Sequence, residues 1–167
     1  MEQVELVRVR TEDLDELHKM QYDAFMPLYE IYHDDMSPVN ESKERVLYKI
    51  ENSHFYYIVF EGAKAGAVRV VRERGREDDK ILWISPIFIM PEFQNRGLGG
   101  KTIRKLFREY KETEMWKLST IKQEPRNCHL YEKLGFVRFG DEMQVNDLMT
   151  LVNYEKRITK ADLEDQV

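Results

Sequence analysis

Hydrophobic positions recur along the chain at two periods, and the alternation between them marks out its elements. From Val4 to Val9, the residues Val4 and Leu6, with Arg8 in phase, alternate with Glu5, Val7 and Val9, which predicts a strand that ends before the polar Thr11. Thr11 stands where a side-chain oxygen can cap a helix, and Leu14, Leu17, Met20, Tyr22 and Phe25 follow as a helical stripe that Pro27 interrupts. Residues 26–39 are rich in aromatics and acids, and Ser37, Pro38 and Asn40 signal a loop. Asn40 or Ser42 then caps a second helix that turns Val46, Leu47 and Ile50 inward. Residues 54–60 and 65–71 are β-branched and aromatic runs separated by Glu61-Gly62-Ala63-Lys64, the pattern of a hairpin.

The second half opens with a charged loop, residues 72–80, and a continuous apolar run over residues 81–89 that predicts a strand buried on both faces. Pro86 has no amide to give to a ladder, so the strand should bulge or leave its neighbour there and open a cleft. After a glycine-rich turn, Ile103, Leu106, Phe107 and Tyr110 form one face of a helix. Residues 116–121 predict a strand, and Pro125 starts a helix containing Leu130, Tyr131 and Leu134 that Gly135 stops in a left-handed cap. Residues 136–139 and 143–154 predict the last strands. One domain over residues 1–154 is expected, with a charged tail over residues 155–167 that forms a short helix or a frayed end.

Composition narrows the function classes. A formal net charge of -5 argues against a general nucleic-acid binder. No apolar run approaches the length of a membrane span, and the N-terminus lacks the basic and apolar regions of a signal peptide, so no membrane contact and a cytoplasmic location are expected. Cys128 is the single cysteine, which excludes an internal disulfide and a cysteine-based metal cluster, and His33 and His129 stand isolated. No metal is expected.

The candidate chemistry lies in Gln94-Asn95-Arg96-Gly97-Leu98-Gly99-Gly100. Glycines let a backbone approach a ligand closely, and the free amides and positive dipole end of a helix start attract phosphate. A dinucleotide fold would carry such a motif after its first strand, and a Walker-type loop requires an upstream glycine spacing that is absent here.

Ile87-Phe88-Ile89-Met90-Pro91-Glu92-Phe93 running into this turn, together with Leu130-Tyr131-Glu132-Lys133-Leu134-Gly135-Phe136, resembles the GCN5-related N-acetyltransferase family: a buried strand, a proline, Q/R-x-x-G-x-G/A, and later the helix ending that follows the fifth strand. The element order over residues 4–154 agrees as well. The resemblance implies an α/β (α+β) acyl-CoA N-acyltransferase fold, with a mixed, mostly antiparallel sheet of six to seven strands, helices on both faces, and strands 4 and 5 splayed. It implies acetyl-CoA as co-substrate and direct transfer of acetyl to a primary amine, on a small molecule or on a peptide. A non-catalytic acyl-CoA-binding module is the alternative from another class.

Residue by residue, the resemblance implies that backbone groups of Phe88 and Ile89, with Ile87 beside them, pair with the pantetheine arm. The amides from Gln94 through Asn95, Arg96, Gly97, Leu98 and Gly99 to Gly100 hold the pyrophosphate, and Arg96 adds charge. Tyr131 matches the tyrosine that gives a proton to the departing thiolate. Two positions depart from the family pattern. Glu124 stands where many members carry a cofactor-contacting asparagine, and Asn127, one turn before Tyr131, is the substitute. Trp83 stands where some members carry a catalytic glutamate, which leaves Glu124, His54 or a water held by Ser85 as alternatives for the base. The aromatic and acidic segment joining the first two helices borders the acceptor site in the family, so Tyr22, Phe25 and Tyr29, with Trp83, are the acceptor candidates; aromatic faces suit a cationic amine. Apolar residues of the last strands offer a surface for a homodimer.

Overall fold

The computed structural model describes residues 3–164. Among them, strands Val4–Arg8 (β1), His54–Phe60 (β2), Ala63–Arg72 (β3), Ile81–Ile89 (β4), Met115–Ile121 (β5), Val137–Gln144 (β6) and Thr150–Arg157 (β7) form a seven-stranded sheet in the order β1-β2-β3-β4-β5-β7-β6. The helices are Leu14–Tyr32 (α1), Lys43–Asn52 (α2), Leu98–Glu109 (α3) and Pro125–Lys133 (α4). The ladders β1–β2, β2–β3, β5–β7 and β6–β7 are antiparallel, whereas β4–β5 is parallel, so the sheet is mixed. Two compact units divide the chain, one comprising the residues up to Val70 with Pro86–Gly99, the other Val71–Ser85 with the chain from Gly100 onward.

In the first unit, Leu17, Val46, Ile50, Phe55, Tyr57, Ala67 and Phe88 build the core. Val9 joins them, contrary to its expected outward phase, because β1 ends at Arg8 and alternation ends with it; its amide is held by the Phe55 carbonyl at 2.9 Å. Arg8 is exposed instead of inward, with Nη1 2.6 Å from His54 Nδ1. Thr11 does not cap α1. It lies inside a 3-10 turn, Thr11–Asp13, where the Asp13 carboxylate accepts the Arg10 amide at 2.9 Å.

Pro27 does not end α1, which runs on to Tyr32 and stops at His33 in a left-handed conformation (φ 51°). The ring deprives the Asp23 carbonyl of its helical donor, but both residues are exposed and water can take that place. The segment beyond is anchored by buried Tyr32, and before the proline the Phe25 ring meets Phe88 edge-on at 5.6 Å. Ser42, not Asn40, caps α2, its hydroxyl accepting the Arg45 amide at 3.2 Å. Val46 and Ile50 are buried, with Leu47 half-buried.

The β2–β3 turn is shorter than the expected four residues. Phe60 pairs with Ala63 around Glu61 and Gly62, both with positive φ (49° and 79°), the two-residue turn whose twist matches its strands. The register shifts between Ile58 and Val59, which pair with Gly66 and Lys64, so Ala65 is the extra residue of a bulge. Its carbonyl accepts the Met90 amide at 2.8 Å.

In the second unit, β4 pairs with β5 only through Ile81–Trp83 and Met115–Lys117. The pairing ends there, although β4 runs on to Ile89 and β5 to Ile121. Along β4, Leu82, Ile84 and Phe88 are buried and the odd positions from Ile81 to Ile89 are half-buried, except exposed Ser85. The expected strand over residues 143–154 is interrupted. Met143 and Gln144 finish β6, and Asn146 folds the chain back by accepting the Leu148 and Met149 amides at 2.8 and 2.9 Å. β7 also reaches into the expected tail as far as Arg157, followed by a 3-10 turn, Lys160–Leu163; the last three residues of that tail lie outside the described residues.

Candidate active site

The end of β4 is shaped by its neighbour in the same unit. A Cβ on Gly66 would overlap the Phe88 carbonyl oxygen, so only glycine lets the two backbones approach this closely. The Phe88 carbonyl and the Met90 amide both turn toward β3. Backbone groups alternate in direction along a strand, so those of Ile87 and Ile89 face the opposite edge. The pairing expected of Phe88 with a pantetheine arm does not fit this direction. The Ile89 carbonyl accepts Gln94 Nε2 at 3.0 Å, which fastens the turn to the strand and leaves the second lone pair of that oxygen.

A 3-10 turn, Pro91–Phe93, leads from β4 into the glycine segment. Asn95 and Gly97 both have positive φ (66° and 73°), and the stretch from Gln94 to Gly97 is exposed. Closely spaced left-handed residues turn backbone amides toward a common side, which makes a concavity for an anion. α3 begins one residue later, at Leu98, and adds its own unpaired amides. Gly100 packs near α4: a Cβ there would lie 3.5 Å from Leu130 Cδ1.

Tyr131, in the second unit, is held by the way α4 ends. The Gly135 amide bonds the Glu132 carbonyl and the Phe136 amide bonds the Tyr131 carbonyl, each at 3.0 Å, with Gly135 left-handed at φ 98°. This is a Schellman cap, completed by edge contact between the Tyr131 and Phe136 rings at 6.1 Å. The Tyr154 ring lies 6.1 Å away on another side. Tyr154 is itself fixed: its hydroxyl donates to Glu132 Oε2 at 2.7 Å and accepts Arg138 Nε at 3.1 Å. Burial, reinforced by Cys128 nearby, pushes the Tyr131 hydroxyl up to about 12, so it carries its proton throughout the ordinary pH range. Asn127 is half-buried one turn earlier on the helix, and buried Cys128 points Sγ toward the Ile121 carbonyl at 3.8 Å.

The sequence-derived candidates thus divide between the units. Ile87, Phe88, Ile89 and the turn through Gly99 share the first unit with Tyr22, Phe25 and Tyr29, which recur at three and four residues along α1 and so lie on one face. Tyr22 is exposed, and Tyr29 meets His33 edge-on at 6.1 Å. Gly100, Asn127, Tyr131 and Trp83 belong to the second unit. Trp83 sits among Lys117, whose Nζ is 5.8 Å from its ring centre, and Phe139, at 6.2 Å. Lys117 is held by Glu73 at 2.6 Å. Of the base alternatives, His54 is engaged by Arg8 and Glu124 occupies the N-cap of α4, where its carbonyl accepts the Cys128 amide at 3.2 Å. Sequence reasoning missed Gly66, although a lone glycine within an apolar strand was the signal for it.

Comparison with known proteins identifies the family and agrees with the fold. The profile of the acetyltransferase (GNAT) family matches residues 20–136, and the chain belongs to that family. Similar solved structures include a GNAT-family acetyltransferase from Streptococcus pneumoniae (16% identity, covering 94% of this chain and 100% of that one, TM-score 0.70). An acetyltransferase from Salmonella typhimurium, solved with its cofactor acetyl-CoA, matches at 14% identity over 94% and 95% of the chains, TM-score 0.70. A spermidine N-acetyltransferase chimera from Vibrio cholerae and hSSAT matches at 16% identity over 93% and 95%, TM-score 0.72. Among curated proteins, none matches this sequence significantly.

Proposed function

We propose that this protein is an acetyl-CoA-dependent N-acetyltransferase that moves the acetyl group directly onto a primary amine, with a small molecule as the acceptor. The observation that carries the reading is the continuous run from β4 into α3: outward backbone groups of Ile87 and Ile89, an exposed turn with left-handed Asn95 and Gly97, then a helix start. In this reading the pantetheine amides pair with Ile87 and Ile89 as an added strand, and the pyrophosphate takes the amides from Gln94 to Gly100 with Arg96 as counter-charge. Acetyl-CoA supplies the activated thioester.

The neutral amine attacks the thioester carbonyl, the C–N bond forms, and charge gathers on the oxygen. The nitrogen gives up its extra proton to solvent, collapse breaks the C–S bond, and the departing thiolate takes a proton. Tyr131 is the donor: its hydroxyl remains protonated at neutral pH, and its ring is fixed by Phe136 and Tyr154. Tyr22, Phe25 and Tyr29 on α1 offer aromatic faces to a cationic acceptor. The spermidine acetyltransferase among the similar structures supports a small amine. The test is acetyl-CoA binding by calorimetry to the natural chain and to Gly97→Glu, followed by thiol release with a panel of amines. Binding lost in the variant, with release in the natural chain, supports the reading.

A further inference from the structure

On the strands of the second unit, side chains alternate between two faces of the sheet. Phe107 of α3 packs on Trp116 and Tyr131 of α4 on Tyr154, so both helices of this unit cover one face. The other face carries Trp83, Lys117 and Glu155, which are register partners across β4, β5 and β7, and on the next rung Ser119, Asn153 and Phe139. An ammonium already sits among them. Lys117 Nζ lies 5.8 Å from the Trp83 ring centre, 5.0 Å from that of Phe139 and 2.6 Å from Glu73 Oε1. Both rings are within the reach at which an aromatic face attracts a cation, and the Lys117 and Glu73 side chains are only 15% and 25% exposed.

The charges around this ammonium give it a second place to go. The hydrogen bond from Lys117, against the opposing effect of burial, holds the Glu73 carboxyl below its ordinary value, so Glu73 is anionic at neutral pH. Glu155 is half-buried opposite Lys117, where the Cβ atoms of such a pair lie about 5 Å apart, and it has no ion pair among the described residues. The other cations near these two carboxylates are exposed: Arg76 is bonded to Asp78, and Arg157 ends β7. Lys117 has a flexible four-carbon stem, so swinging from Glu73 to Glu155 exchanges one carboxylate for another. That movement leaves the Glu73 carboxylate and the Trp83 and Phe139 faces to a different cation. The chemistry they present suits a primary ammonium on an alkyl chain, the group they already hold.

We propose that Glu73, Trp83 and Phe139 form a site for a primary alkylammonium, which Lys117 occupies in the free protein and vacates when a ligand binds. An amine held against a carboxylate stays protonated and is no nucleophile. Resting on the acetyltransferase reading, the site therefore takes the non-reacting ammonium of a diamine acceptor. The test is titration of n-butylamine, which copies the lysine side chain, into the isotope-labelled full chain without acetyl-CoA, at constant pH and ionic strength. NMR follows the indole N–H signals of the two tryptophans. Trp83 should shift to saturation, while Trp116, buried on the opposite face, should not. Glu73→Gln should weaken binding roughly tenfold by removing a charge-assisted hydrogen bond. Lys117→Ala should tighten it, because the internal competitor is gone. Opposite signs at the two ends of one ion pair are the signature, since losing a merely structural pair loosens the site in both variants. Glu155→Gln should weaken binding only while Lys117 is present. Thermal melting checks that each variant is folded, and Glu73→Asp, which keeps the charge but withdraws it, serves if Glu73→Gln is not. No Trp83 shift up to high millimolar amine, or changes of the same sign in Glu73→Gln and Lys117→Ala, overturns the proposal. Since the titration contains no acetyl-CoA, that failure is distinct from failure of the acetyltransferase reading. In turnover, Glu73→Gln should raise KM for diaminobutane and leave KM for acetyl-CoA unchanged; an unchanged KM for the diamine overturns the acceptor role.

Discussion

The carbonyl of Tyr131 accepts the amide of Phe136 at 3.0 Å while their rings meet edge-on at 6.1 Å, so one cap fixes both backbone and side chain of the proposed acid. The family's Leu-Gly-Phe ending therefore has a physical role. Gly135 supplies the left-handed residue that reverses the chain, and Phe136 is the apolar partner that the cap requires.

Tyr131→Phe should keep acetyl-CoA affinity and lower kcat, since it removes the proton and little packing. Burial raises the hydroxyl to about 12, so kcat for the natural enzyme should show no alkaline loss from this group below about pH 11. Steady-state rates across pH check both; unchanged kcat in the variant removes Tyr131 from the proton step.

Gly135→Ala should destabilise by about 1–2 kcal/mol, the cost of a side chain in the left-handed region. For a chain of this length that lowers Tm by about 2–8 °C. The added Cβ would also lie 2.6 Å from Lys156 Nζ, the flexible end of a side chain that can move away. Differential scanning calorimetry reads the shift, and an unchanged Tm would contradict the role given to the cap.

Gly66→Ala should cost more than an ordinary surface change, about 1–3 kcal/mol, because the added methyl meets backbone on β4 and not a movable side chain. Pushing β4 away should also weaken acetyl-CoA binding. Denaturant unfolding and calorimetry measure the two effects; a variant with natural stability would mean that β4 has room to shift.

Glu41 predicts a pH dependence of stability. Burial alone would raise its carboxyl, but hydrogen bonds from Lys49 (2.5 Å) and Gln21 (2.9 Å), with the charges of Lys49 and Arg45, hold it below the usual carboxylate value. A folded value below the unfolded one contributes stability that is complete above the unfolded value, near pH 4–5, and is lost as pH falls through the folded value. Glu41→Gln should flatten that part of the curve of Tm against pH. A variant curve parallel to the natural one through this range would contradict the assignment.

Much of the fold was legible because the strands and most helices carry clean periods, and the two motifs sit on elements whose caps are local. The misread positions are those where tertiary context overrides a local rule. Pro27 is tolerated because it faces solvent, Val9 turns inward because its strand has already ended, and Thr11 is taken into a 3-10 turn whose Arg10 amide the Asp13 carboxylate accepts. The direction of the Phe88 carbonyl depends on the bulge at Ala65 and the contact at Gly66, both set by pairing with distant strands. Asn146 could have announced the β6–β7 turn, but no glycine or proline stands beside it.

The most direct measurement of the central claim is acetyl-CoA-dependent thiol release, with mass detection of the acetylated product, across polyamines, aminoglycosides, amino acids and peptide N-termini. The account predicts release and an N-acetyl product with at least one small primary amine, both abolished in Gly97→Glu. Acetyl-CoA that raises the thermal midpoint yet yields no thiol with any amine would contradict it and identify a binding module instead.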